Sequence, residues 1–89
     1  MTARALLQQV LDDYLVAYAT HDSAACAAAY TRDGQIFSSY GPPVTGTAAI
    51  TATHEAWFAE GETDKKMTIL EARADGGVAF CSVIYSAEI

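Results

Sequence analysis

A chain of 89 residues supports one domain, residues 1–89, and a domain this short buries only roughly 60–65% of its unfolded surface, so its stability needs help from a metal, a disulfide or a partner. The 52% hydrophobic fraction overstates the core, because runs such as Ala24-Ala-Cys-Ala-Ala-Ala29 contribute little transfer free energy. A net charge of −6, with no basic run longer than Lys65-Lys66, repels phosphate backbones and anionic lipid surfaces, which argues against nucleic acid and membrane as partners.

Residues 3–20 place Leu7, Val10, Leu11, Tyr14 and Tyr18 at spacings of three and four, which predicts a helix with one apolar stripe. His21-Asp22-Ser23 interrupts it. Asp22 or Ser23 can cap a second, shorter helix running to about Tyr30, and His21 beside them is expected to help with capping. Asp33-Gly34 turns the chain into a short strand over 35–39. Gly41-Pro42-Pro43 then forces a bend that no ladder can cross, and Val44-Thr45 is a stub of return strand. Thr45 or Thr47 is expected to cap a third helix, in which Ile50, His54 and Trp57 recur at helical spacing with Phe58 alongside, and Gly61 ends it.

The remainder reads as one long hairpin. Residues 65–74 alternate about Met67 and Ile69, Asp75-Gly76-Gly77 supplies positive-φ residues for a tight turn, and 78–87 return. In the returning strand Val78, Phe80 and Ile84 occupy one face, while Ala79, Cys81, Val83 and Tyr85 occupy the other. Neither face suits water, so a cover is expected over each. Glu71 and Arg73 are expected to share the face of Met67 and Ile69 and to pair with each other.

Chemistry-bearing motifs are sparse. Cys26 and Cys81 stand apart, without metal spacing, and read as reduced thiols of a cytoplasmic protein. Gln8-Gln9 and Asp12-Asp13 interrupt the early apolar pair, so no secretory leader is expected; no run approaches transmembrane length, and without Asn there is no glycosylation sequon. His54-Glu55 would begin a zinc-peptidase motif only with a second histidine at position 58, which is Phe. No metal and no cofactor is expected. Tyr14, Tyr18, Phe37, His54 and Trp57 are the candidate pocket residues. For the aromatic ones simple core packing is the competing account, and for His54 a satisfied, partly exposed position on its helix.

Three segments carry a resemblance: Tyr14-Leu-Val-Ala-Tyr-Ala-Thr-His-Asp22, Ala29-Tyr-Thr-Arg-Asp-Gly34 and Gly41-Pro-Pro-Val-Thr-Gly-Thr-Ala-Ala-Ile50. In order and spacing the chain resembles the nuclear-transport-factor-2-like superfamily, which includes steroid delta-isomerases and SnoaL-type cyclases. It is most similar to small stand-alone members without an assigned activity. The resemblance implies an α+β fold in which three N-terminal helices cover one side of a cone-like bent antiparallel sheet, shortened here after the fourth strand.

The family's catalytic pattern transfers only in part. The helix-one tyrosine of the isomerases falls on Tyr14, the strand carboxylate falls on Ser38, and the late-strand acid has no counterpart. The expectation is therefore a non-catalytic module that binds a small apolar ligand in its cone. The alternatives are a cyclase-, isomerase- or hydrolase-type enzyme using Tyr14 and His54, and a protein-interaction module. Members of the family usually continue with another hairpin after the strand over 78–87, so a homo-oligomer, a dimer above all, is expected to complete the sheet.

Overall fold

The computed structural model describes residues 2–38 and 41–88. Three helices and two hairpins follow in chain order: α1 (Ala3–Ala19), α2 (Ser23–Ala28), β1 (Gln35–Ile36), β2 (Val44–Thr45), α3 (Thr47–Ala59), β3 (Thr63–Asp75) and β4 (Val78–Glu88). The strands form two antiparallel ladders, β1 with β2 and β3 with β4. Helix α1 lies against β3 and β4, while α2 packs on α3.

Local chemistry sets the element ends. Thr2 caps α1 through Oγ1, which accepts from the Ala5 N–H at 3.1 Å, and Asp22 caps α2 by accepting from Ala25 N–H at 3.0 Å. His21 ends α1 with its backbone: at φ 55° it occupies the left-handed position, and the N–H groups of His21 and Asp22 reach back to the carbonyls of Tyr18 and Ala17. Its ring does no capping and instead stacks on Phe58 with centroids 4.5 Å apart. Helix α2 closes at Ala28, short of Tyr30, because the Ala29 and Tyr30 N–H groups bond three residues back and tighten the turn. Tyr30 is thereby released toward α1.

The start of α3 corrects the expected cap. Gly46, at φ 90° and ψ 160°, holds the position, and neither Thr45 nor Thr47 bonds as a cap. Only glycine adopts that backbone without strain. The chain needs it because Gly46 N–H must bond the Gly34 carbonyl at 3.0 Å while its own carbonyl already accepts from Ile50. At the far end Gly61, at φ 83°, terminates α3 as expected.

Strand β1 is shorter than expected. Its register would set Phe37 opposite Pro43 and Ser38 opposite Pro42, and neither proline has an N–H to give. Ser39, the last residue of the expected strand, lies outside the described residues, as does Tyr40.

A β-bulge reorganises the long hairpin. Ile69 pairs with Val83 but Glu71 pairs with Ser82, so Leu70 is an extra residue and every β3 side chain beyond it changes face. Glu71 and Arg73 therefore stand opposite to Met67 and Ile69, which corrects the expected grouping. They do form an ion pair, exposed on the outer face, with Arg73 Nε donating to Glu71 Oε1 at 2.7 Å. The guanidinium of Arg4, from α1, donates to the Ile69 and Leu70 carbonyls at 3.2 Å each and so ties the helix to the bulge. At the hairpin tip only Gly76 takes positive φ, at 62°.

The core lies between α1, α2, α3 and the inner face of the hairpin, around Tyr14, Tyr18, Cys26, Ala27, Ile50, His54 and Ile69. Cys26 is a buried free thiol, and burial raises its pKa; Cys81 is a half-buried free thiol. The outer face carries Leu70, Val78, Phe80 and Ile84, all more than half exposed, so the helices cover one face of the hairpin and not both. Among the described residues no helix is long and apolar enough to cross a membrane.

Candidate ligand cavity

A cavity of about 910 Å³ opens between α1, α3, the β1–β2 hairpin and the inner face of β3–β4. Its wall is mostly apolar and aromatic, with Leu11, Tyr14, Tyr30, Phe37, Trp57 and Met67 among the lining residues. Ser38, Glu60, Glu62 and Lys65 add polar groups. Large apolar hollows with few polar groups are the usual form of small-molecule sites.

The five candidate residues divide into two layers. Tyr14 and Trp57 form the wall, and Phe37 stands at the rim, 72% exposed. Tyr18 and His54 are not on the wall; they back it from the core. The expected partly exposed histidine is overturned, because His54 is 0% exposed. Its position on α3 directs it inward between Tyr14, Tyr18, Trp57 and Phe58, whose ring centroids lie 4.9–6.2 Å away.

Two hydrogen bonds hold this histidine. Nδ1 lies 2.8 Å from the Ile50 carbonyl oxygen, and Nε2 lies 2.7 Å from the Tyr14 hydroxyl. A carbonyl can only accept, so Nδ1 carries a proton and donates. Burial lowers the His54 pKa, with the Ile50 bond opposing and Lys65 adding to the effect, so the ring is neutral. Nε2 is then bare and accepts the Tyr14 proton. Burial raises the pKa of Tyr14 and of Tyr30, and the two hydroxyls interact across the end of the cavity.

Lys65 also lines the wall. Its ammonium stands 4.4 Å from the Tyr18 ring centroid, 5.1 Å from that of Tyr85 and 5.2 Å from that of Trp57, and pairs with Glu62 at 3.5 Å. Three rings and one carboxylate thus hold a cation where an alkyl chain alone would be mobile. Burial and then Glu62 raise the Tyr18 pKa, although the buried hydroxyl has no partner in full hydrogen-bonding geometry.

Sequence reasoning missed Tyr30, Lys65, Met67 and Tyr85. The signal was available for the strand residues, since Lys65 and Met67 lie two apart and Met67 pairs with Tyr85 across the ladder. Tyr30 had no such signal, because its place depends on where α2 stops. Among the described residues no cluster of three or more His, Cys, Asp or Glu could hold a metal ion.

This arrangement, helices closed over one face of an antiparallel hairpin around an aromatic hollow, defines a cone of the cystatin-like kind. Residues 11–88 match the SnoaL-like domain family. The chain belongs to that family. No curated protein matches it.

Solved structures agree on the fold. A ketosteroid isomerase-like protein from Erwinia carotovora atroseptica superposes with a TM-score of 0.73 at 22% identity, over 93% of this chain and 75% of that one. A domain of unknown function with a cystatin-like fold from Nostoc punctiforme gives 0.81 at 14% identity, over 97% and 55%. An NTF2-like protein with a cystatin-like fold from Novosphingobium aromaticivorans gives 0.54 at 20%, over 94% and 67%.

Proposed function

We propose that this SnoaL-like chain is a non-catalytic binding module that holds a small apolar molecule in its cavity and associates with a second copy of itself. The observation that carries the reading is the hollow of about 910 Å³, walled by Tyr14, Tyr30, Trp57 and Met67. An enzyme built on Tyr14 and His54 has less support, because the ring of His54 is enclosed behind Tyr14 and its only unprotonated nitrogen is already bonded. The resemblance assigns the isomerases' strand carboxylate to Ser38, which lines the wall, and a serine hydroxyl is a poor base at neutral pH.

Self-association rests on Leu70, Val78, Phe80 and Ile84, an apolar outer face that a second hairpin would remove from water. Trp57 is the sole tryptophan of the chain and stands in the wall, so its emission reports occupancy. Titration with dibenzofuran is expected to quench or shift that emission saturably, and a linear, unsaturable response would contradict the reading. Light scattering on a dilution series tests the second copy. The chain is expected to be dimeric and Phe80→Glu monomeric, whereas a folded wild-type monomer at micromolar concentration would remove this part.

A further inference from the structure

We propose that the Tyr14–His54 pair makes the cavity selective for apolar ligands that donate a hydrogen bond, an N–H or O–H on a hydrocarbon frame, with His54 as the positioning residue. The inference rests on the cavity reading above and adds the chemistry of the ligand's polar group.

The direction of the protons follows from one fixed end. The Ile50 carbonyl, 2.8 Å from Nδ1, cannot donate, so the Nδ1 proton points to it and Nε2 faces Tyr14 as a bare acceptor. A phenol has one proton. Tyr14 spends its proton on Nε2 at 2.7 Å, and what remains of its hydroxyl toward the cavity is oxygen lone pairs. Tyr30 stands beside it on the wall, its ring edge-on to that of Tyr14 with centroids 6.5 Å apart.

Reversing this direction requires one of two states. In the first, Nδ1 loses its proton and two lone pairs face each other at 2.8 Å. In the second, the ring becomes a cation at a site with 0% exposure. Both are unfavourable, so Tyr14 is held as an acceptor. A ketone or an oxyanion at this end of the cavity meets lone pairs and is disfavoured, while an N–H or O–H meets the partner it needs. The Lys65 ammonium, another polar donor of the wall, is engaged by three rings and Glu62.

Carbazole, dibenzofuran and fluorenone have nearly the same shape and differ in one group: a donor, an ether oxygen and a carbonyl acceptor. Trp57 emission titrations of the intact protein are expected to rank carbazole about tenfold tighter than dibenzofuran, with fluorenone no tighter than dibenzofuran. In Tyr14→Phe the ratio of carbazole to dibenzofuran affinity is expected to fall from about tenfold to about one. Fluorenone binding at least as tightly as carbazole, or an advantage that survives in Tyr14→Phe, would overturn the inference and leave the cavity reading standing. Binding of none of the three would remove both. Nitrogen NMR of the His54 ring in the wild-type protein needs no variant: a protonated Nδ1 with bare Nε2 is expected, and a protonated Nε2 refutes the proposal.

Discussion

The hydrogen bond between Tyr14 and His54 is the feature most open to a quantitative test. Tyr14→Phe removes the donor and leaves Nε2 as a bare acceptor inside a fully enclosed site, so the loss is that of an unsatisfied buried group, about 1–3 kcal/mol. His54→Leu, at similar volume, strands the Tyr14 hydroxyl at a comparable cost; the Ile50 carbonyl keeps its helical partner. Replacing both groups leaves no orphaned polar atom at that contact. The double variant should therefore be more stable than the sum of the single losses predicts, by about 1–3 kcal/mol. At this chain length 1 kcal/mol moves the melting temperature by about 4–8 °C, so melts of the four proteins resolve the coupling. Losses that add to within about 0.5 kcal/mol would refute the reasoning, because independent sites behave that way.

Three further outcomes follow. His54 has a lowered folded pKa, chiefly through burial, so below about pH 6.5 the unfolded chain binds a proton that the folded chain refuses. Stability should fall as pH drops from about 6.5 toward 5, and His54→Leu should flatten that slope in a series of melts. Trp57→Ala should cost about 1–2 kcal/mol, less than the 3–5 kcal/mol of a fully packed aromatic, because the ring is half-buried on a cavity wall, and it should weaken dibenzofuran binding measured by calorimetry. Gly46→Ala should lower stability by about 1 kcal/mol or more in urea unfolding, since φ 90° with ψ 160° strains any side chain.

The architecture was legible because it rests on local chemistry. The stripe of Leu7, Leu11, Tyr14 and Tyr18, the Asp22 cap, the Gly61 stop and the glycines after Asp75 each act within a turn or two of the chain. Departures occur where a distant contact outweighs the local signal. Thr45 and Thr47 offer a capping hydroxyl that glycine lacks, but the bond from Gly46 to Gly34 demands a backbone that threonine resists. Strict alternation grouped Glu71 and Arg73 with Met67 and Ile69, and the bulge at Leu70, secured by Arg4 from α1, put them on the opposite face.

The candidate site was half legible for the same reason. Aromatic type and helical spacing pointed to Tyr14 and Trp57, whereas the phase of two positions that joins Lys65 to Met67 went unused. Spacing along α3 could not decide how deep His54 lies, because that depends on α1 and α2 closing over it. Nor could it reveal that Tyr18, Trp57 and Tyr85, drawn from three elements, converge on Lys65.

The most direct test of the binding claim is residue-resolved NMR of the labelled protein during addition of dibenzofuran. Saturable shifts are predicted at Tyr14, Tyr30, the Trp57 indole and Met67, with Leu70, Phe80 and Ile84 unmoved. Shifts confined to those outer-face residues, or none at the cavity wall, would contradict the account.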